Sequence, residues 1–161
     1  MIARRVCALA LAATAPAAIA QNLSCADLSS VPPIPDVRFE SDVLPILEEG
    51  FLQCTNCHGF SGNLALDQGP STHDNLFCVD TQGSVPQPAG KRVVPGAPLQ
   101  SWLYLRVACD DLDDLDFRMP RGGDFLLTTF ELRVIHDWIR QGALLANDVF
   151  VDGFEAEGSC P

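Results

Sequence analysis

The sequence predicts an all-α domain with long loops. Its segments with clear hydrophobic periodicity have helical spacing: one beginning near residue 39, one at residues 98–107 and one at residues 128–142. By contrast, residues 67–98 are rich in glycine and proline, which favours loop with at most a short helical turn at residues 72–77. We therefore expect a helical core with one long irregular segment before its second main helix.

The first 20 residues have the pattern of a signal peptide. Arg4 and Arg5 precede an apolar run at residues 6–13, and Ala-Ile-Ala at residues 18–20 supplies the small residues required for cleavage. We expect cleavage after Ala20, export to the periplasm or extracellular space, and no integral membrane segment in the mature chain. A lipid anchor on Cys25 is a weaker alternative, because residues 22–24 match the usual preceding residues poorly.

The mature chain is strongly acidic. Loss of Arg4 and Arg5 with the signal peptide would change the formal net charge from −11 to −13. This charge argues against nucleic acid and anionic lipid as partners, and it favours a protein partner with a basic docking patch. Alternatively, the charge keeps the protein soluble and has no role in recognition.

Residues 21–38 predict an extended lead-in, since they contain Pro32, Pro33 and Pro35. The domain itself is expected at residues 39–146, followed by a tail at residues 147–161. Ser41 can cap the first helix, with Pro45 in its first turn. The apolar positions of this helix are Val43, Leu44, Leu47 and Phe51.

The first helix leads into Cys-Thr-Asn-Cys-His at residues 54–58. Two thiols three positions apart, with an adjacent imidazole, can form two thioether bonds to a haem and supply one axial ligand to its iron. The motif therefore predicts covalently attached haem c on Cys54, Cys57 and His58. The alternative is a disulfide or a zinc site, the latter using these three residues and Cys78.

A turn at residues 59–62 follows this motif. Beyond it, Leu64 and Leu66 can lie against a haem edge or belong to the ordinary core. The helix at residues 98–107 has Leu99, Trp102 and Leu103 at helical intervals. The acidic residues at 110–116 predict a solvated face, since they lack the glycine turn and distal glutamate of a helix-loop-helix calcium site.

Met119 is the predicted second axial ligand. It lies in Phe-Arg-Met-Pro-Arg-Gly-Gly at residues 117–123, where proline and glycine favour a loop that presents one thioether. A neutral sulfur opposite His58 favours ferrous iron and raises the reduction potential, which suits electron transfer. His73 and His136 are the rival ligands, although a helix-face histidine is more often structural.

The last helix has the clearest boundaries. Thr128 and Glu131 form a capping-box pattern, and Gly142 ends the helix. Trp138 can shield a haem or pack between the terminal helices. The predicted apolar face consists of Leu132, Ile135, His136 and Ile139.

Together these motifs resemble the monohaem c-type cytochrome domains of the planctomycete-type cytochrome c family. Besides Cys-Thr-Asn-Cys-His-Gly, the likeness includes Val-Pro-Gly at 94–96, Ser-Trp-Leu-Tyr at 101–104, Arg-Met-Pro at 118–120 and Trp-Ile-Arg-Gln-Gly-Ala at 138–143. It covers about residues 39–143. The resemblance implies a small cytochrome c-like helical fold whose first and last helices cross near the haem, with His58 as the proximal iron ligand and Met119 as the distal one.

The resemblance implies an exported electron carrier, not an enzyme. Because the chain leaves no room for a second large domain, we expect its redox partner to be a separate protein. The alternative is a haem enzyme or a gas or peroxide sensor in which Met119 is displaced from the iron. The loop has no evident acid-base residue for that role, although Arg118 and Arg121 lie close to Met119.

Four further cysteines, Cys25, Cys78, Cys109 and Cys160, are expected to form two disulfides in an oxidising compartment. Of the three possible connectivities we favour Cys78 with Cys109 and Cys25 with Cys160. The first pair would anchor the long loop to the second helix, and the second would fasten the two ends of the chain.

Overall fold

The structure is a computed structural model that describes residues 24–48, 54–59, 61–81, 90–110, 112, 118–120, 126–145 and 160. The described ranges contain four α-helices: α1 at Leu44–Glu48, α2 at Thr72–Leu76, α3 at Trp102–Ala108 and α4 at Thr129–Arg140. A π-helical turn at Phe39–Val43 continues into α1. Shorter 3-10 turns lie at Cys54–Asn56, Ser61–Asn63, Gly69–Ser71 and Pro98–Gln100.

The described part of the chain is mostly helical with long loops, as the sequence predicts. It differs from an all-α domain in having a small antiparallel sheet, formed by β1 at Ser24–Cys25 and β2 at Cys109–Asp110. Cys25 lies directly opposite Cys109 in this sheet. None of the described helices has the length and apolar character needed to cross a bilayer.

The first helical segment begins near residue 39, as its periodicity predicts, but before the residue predicted to cap it. Ser41 does not cap it, because the helical turn already starts at Phe39, whose side chain is fully buried. The carboxylate of Asp42 accepts a hydrogen bond from the backbone N–H of Arg38 at 2.7 Å and one from the hydroxyl of Ser41 at 3.0 Å. Burial of Phe39 in the core therefore places the start of the helix before the polar residue that the local pattern favours.

Helix α4 confirms the predicted boundaries. The hydroxyl of Thr128 accepts a hydrogen bond from the backbone N–H of Glu131, and the Glu131 carboxylate accepts one from the backbone N–H of Thr128. Gly142 follows the helix with a φ of +100°, a conformation that glycine adopts without steric cost. On the buried face, the Trp138 ring lies 5.2 Å from the Phe39 ring, so Trp138 packs between the two terminal helical segments.

The middle of the chain also follows the predicted pattern. Helix α2 lies within the short helical turn expected at residues 72–77, and α3 follows a 3-10 turn within the segment expected to be helical. Leu99 differs from expectation because it is 64% exposed. Leu66 is buried in the core and Leu64 packs at its edge.

The four described cysteines outside the Cys-Thr-Asn-Cys-His motif are paired, as predicted, but the favoured pairing is wrong. The disulfides join Cys25 to Cys109 and Cys78 to Cys160. Cys109 directly follows α3 and faces the lead-in strand, so Cys25 is its neighbour across the sheet. Cys78, which lies just after α2, therefore pairs with Cys160 near the end of the chain.

The lead-in is fastened to α4 by polar side chains. The backbone N–H of Ile34 donates to Asp137 at 2.8 Å, and the side-chain amide of Gln141 donates to the Ile34 carbonyl at 2.6 Å. Arg133 donates to the carbonyl of Leu28 at 2.7 Å. The extended lead-in predicted from its prolines therefore lies over the last helix, attached by both backbone and side-chain groups.

Asp137 is a fully buried carboxylate within this attachment. Burial by itself would raise the pKa of Asp137, but hydrogen bonds from the Ile34 N–H and from His136, together with the charge of Arg133, outweigh burial and hold that pKa below its usual value. A carboxylate with a depressed folded-state pKa adds stability above its unfolded-state pKa. That stability is lost as the pH falls through the folded-state pKa.

We therefore expect Asp137→Asn to lower the free energy of unfolding at pH 7 by about 2 kcal/mol, the range for a hydrogen bond to a charged group. The loss should be smaller at pH 3, below the ordinary aspartate pKa of 3.8, because protonation of Asp137 in the unfolded chain already removes part of the same stabilisation. Urea unfolding at the two pH values measures both quantities. Asp74→Asn, whose side chain is 85% exposed, is the matched control and should have little effect; equal losses at both pH values for Asp137→Asn would contradict the argument.

Candidate functional site

The Cys-Thr-Asn-Cys-His motif forms a single helical turn. The backbone N–H of His58 donates to the Cys54 carbonyl at 2.8 Å, and that of Cys57 donates to the same carbonyl at 3.3 Å. The turn brings both thiols and the imidazole onto one short stretch of backbone. Both cysteines are free thiols, Cys54 half-buried and Cys57 exposed.

A backbone carbonyl determines the tautomer of the neutral His58 ring. Its Nδ1 lies 3.0 Å from the carbonyl oxygen of Ser61, which can only accept, so Nδ1 carries the proton in a neutral ring. The Nε2 lone pair is then available to a metal ion, an arrangement that metal-binding histidines commonly use. The backbone is fixed as well, because the His58 carbonyl accepts a hydrogen bond from the Leu66 N–H at 2.7 Å.

The two thiols lie in different environments. Burial raises the pKa of Cys54, and the negative groups at Cys57 and Glu131 add to the increase. Cys54 packs against the hydrophobic core, whereas Cys57 faces solvent. At neutral pH Cys54 is therefore a protonated thiol at the edge of the core, where it is protected from the oxidation that thiolates undergo.

Met119 lies on a loop that is anchored at two points. Its backbone N–H donates to the Arg106 carbonyl in α3 at 2.7 Å. The preceding residue, Arg118, donates two hydrogen bonds to the carboxylate of Asp110, at 2.8 and 2.7 Å. This pairing lowers the pKa of Asp110 and raises that of Arg118. The Met119 side chain is half-buried against the core, so its thioether belongs to a fixed part of the loop.

Both rival histidines have structural partners. His73 is buried with Nε2 2.7 Å from the Ala143 carbonyl, and its ring stacks on Phe77 with centroids 5.1 Å apart. His136 has Nδ1 2.8 Å from the Asp137 carboxylate, and its ring meets the edge of Tyr104. Each histidine therefore joins elements of the fold, the usual role of a histidine in a packed interior.

The zinc alternative loses its proposed fourth ligand. Cys78 is bonded to Cys160, so it cannot supply a thiolate beside Cys54, Cys57 and His58. Within the described ranges, no group of three or more His, Cys, Asp or Glu side chains is placed to hold a metal ion by itself. Asp110, the first residue of the acidic run, is bound to Arg118; most of the rest of that run lies outside the described residues.

A cavity of about 390 Å³ adjoins the motif at Gly59, the residue after His58. Leu64 and Ala65 form part of its wall, and Arg92 is the charged side chain that lines it. Sequence analysis did not single out Arg92, because a basic residue in a segment rich in proline and glycine carries no periodic signal of burial. Arg92 is nevertheless only 8% exposed.

Several predicted features lie outside the described residues: the signal peptide at residues 1–20, Phe51, Arg121 and, apart from Cys160, the tail. A scan against protein-family models matches no family, and comparisons with the curated proteins and with the solved structures return no match. The resemblance to planctomycete-type cytochromes therefore depends on the sequence motifs themselves.

Proposed function

We propose that this protein is an exported monohaem cytochrome c that transfers electrons between protein partners. The observation that carries the proposal is the single turn containing two free thiols and His58, whose Nδ1 is bound to the Ser61 carbonyl and whose Nε2 is thereby available. Cys54 and Cys57 would carry the covalent bonds to the haem and His58 the proximal bond to its iron.

The pattern of cysteine pairing supports this assignment. Of the six cysteines in the described part of the chain, four form two disulfides and only Cys54 and Cys57 remain free. Disulfides favour an oxidising compartment, which agrees with export. In such a compartment two free neighbouring thiols are exposed to oxidation to a disulfide, and thioether bonds to a haem would prevent that reaction.

Bound haem supplies one-electron chemistry, and the protein determines which oxidation state is favoured. The Ser61 carbonyl fixes the orientation of the His58 ring, so that Nε2 would face the metal ion. Met119 would provide a neutral sulfur that favours the ferrous state. The anchors on its loop, Arg118 with Asp110 and the Met119 N–H with Arg106, would keep that sulfur in place during electron transfer.

The haem enzyme or sensor alternative requires a polar residue that can act on a ligand where Met119 is displaced. Among the described residues, Arg118 is the candidate for this role, but its guanidinium donates two hydrogen bonds to Asp110 and serves as an anchor of the loop.

The acidic net charge of −11 supports a redox partner with a basic docking patch, since opposite charges accelerate the encounter of two proteins.

The proposal predicts that the chain, produced together with a haem-attachment system, carries one haem that acid-acetone does not extract. Cys54→Ala with Cys57→Ala should abolish that retention, because both thioether bonds are lost. The spectrum of the pyridine complex of the haem measures the covalent bonds directly. Cys78→Ala with Cys160→Ala is the matched control and should keep the haem. A colourless parent protein, or haem that is fully extracted from it, would contradict the proposal.

A further inference from the structure

Arg92 is a buried cation without a carboxylate partner among the described residues. Its two terminal nitrogens donate to the carbonyls of Asn75 and Asn63, at 2.7 and 2.6 Å. Burial lowers the pKa of Arg92, and no charge of the described residues contributes to that shift. Carbonyl oxygens orient a guanidinium but do not neutralise it, and a buried charge is costly unless an opposite charge is close.

The same guanidinium lines the cavity beside Gly59. A guanidinium has five N–H donors, and the two carbonyls take only two of them. The other residues that line the cavity carry no charge: Gly59, Asn63, Leu64, Ala65, Asn75 and Val79. The cavity therefore combines uncharged walls, both polar and apolar, with one cation that retains hydrogen-bonding capacity.

We propose that this cavity binds a carboxylate and that Arg92 is its counter-ion. The planar guanidinium matches the geometry of a carboxylate, which can accept two of its N–H groups. This inference rests on the proposed function for the source of the anion: haem c carries two propionate groups, and the cavity adjoins the residue after the proposed iron ligand His58. A small free carboxylate is the other source of the same chemistry.

The expected consequence concerns the reduction equilibrium of the bound haem. A cation beside a propionate offsets the negative charge close to the iron and so favours the ferrous state. With Arg92→Gln, the haem should remain covalently bound, and the equilibrium constant for reduction should fall roughly threefold to tenfold, as expected for loss of one charge at such a site. Arg92→Lys keeps the charge without the planar fork, so its shift should be smaller.

Lys91→Gln is the matched control. It removes the same charge at the next position, but the Lys91 ammonium is paired with Asp80 at 2.9 Å near the surface. Redox titration of the haem-loaded parent and variants, with the spectrum checked for intact attachment, measures the shifts. An unchanged reduction equilibrium in both Arg92 variants, or an equal shift in Lys91→Gln, would overturn the assignment to a propionate. If Arg92→Gln does not fold, Arg92→Lys alone tests the proposal. A reduction equilibrium of Arg92→Lys equal to that of the parent would then overturn it.

If the purified parent is colourless, the proposed function fails and the cavity is tested separately with acetate as the probe. Acetate should then raise the unfolding temperature of the parent above that in chloride of equal ionic strength; the increase should be smaller for Arg92→Lys, which keeps the charge, and absent for Arg92→Gln. Equal unfolding temperatures of the parent in acetate and chloride would show that the cavity does not bind a carboxylate.

Discussion

Met119→Ala is expected to lower the reduction potential of the haem-loaded protein by tenths of a volt, within the roughly 0.8 V over which axial ligands tune haem iron. The reason is loss of the neutral sulfur that favours the ferrous state. The ferric parent should show a weak far-red charge-transfer band from sulfur to iron, and the variant should lack it. Carbon monoxide should bind the ferrous parent poorly and the variant readily, since the sixth position becomes open.

Met119→Leu separates the effect of sulfur from that of packing. The Met119 side chain is half-buried against the core, and leucine retains most of its volume. Both variants should therefore lose the band and the high potential, whereas only Met119→Ala should lose stability through a cavity. Persistence of the far-red band in both variants would exclude Met119 as the ligand. Tight carbon monoxide binding by the parent would instead favour the hypothesis that the protein is a haem enzyme or sensor.

The replacement of Cys25 and Cys109 by serine is expected to give the largest loss of stability. The disulfide closes a loop with a sequence separation of 84, and the loop-closure entropy released to the unfolded chain corresponds to about 4.5 kcal/mol. Cys109 is also buried beside α3, so its replacement by a polar hydroxyl adds a packing cost. Guanidinium unfolding of parent and variant measures the difference.

The control for this prediction is replacement of Cys78 and Cys160 by serine. That disulfide has nearly the same separation, 82, but Cys78 and Cys160 are half-buried, so we expect a smaller loss. Peptide mapping of the parent under non-reducing conditions checks the pairing itself. Finding Cys25 joined to Cys160 would disprove the pairing described for this fold. If the variant with serine at positions 25 and 109 has the same free energy of unfolding as the parent, the disulfide does not constrain the unfolded chain.

Features set by neighbouring residues were predicted well. The capping box of Thr128 and Glu131 and the glycine after α4 act within one or two turns, so their effect can be read from the sequence. The turn at Cys54–Asn56 is equally local, because the spacing of the motif determines which groups share it. The turn that carries Cys54, Cys57 and His58 is therefore confirmed, whereas the roles proposed for their side chains stay predictions.

Features that depend on distant contacts were missed. The first helix starts at Phe39, before the predicted cap Ser41, because the Phe39 side chain is buried against Trp138, far away in sequence. The pairing of Cys25 with Cys109 depends on a sheet whose strands have two residues each, too short for an alternating pattern. Burial of Arg92 likewise results from the carbonyls of Asn63 and Asn75, which no local pattern indicates.

The connectivity of the two disulfides imposes an order on thiol chemistry during biogenesis. The bonds Cys25–Cys109 and Cys78–Cys160 are interleaved along the chain, so neither can close until a long downstream segment has emerged. In a chain exported from its N-terminus, Cys54 and Cys57 reach the oxidising side before Cys109 does. They are therefore the first cysteines available for mispairing with Cys25. Covalent capture of these two thiols during that interval would both complete the proposed haem site and direct Cys25 to its native partner.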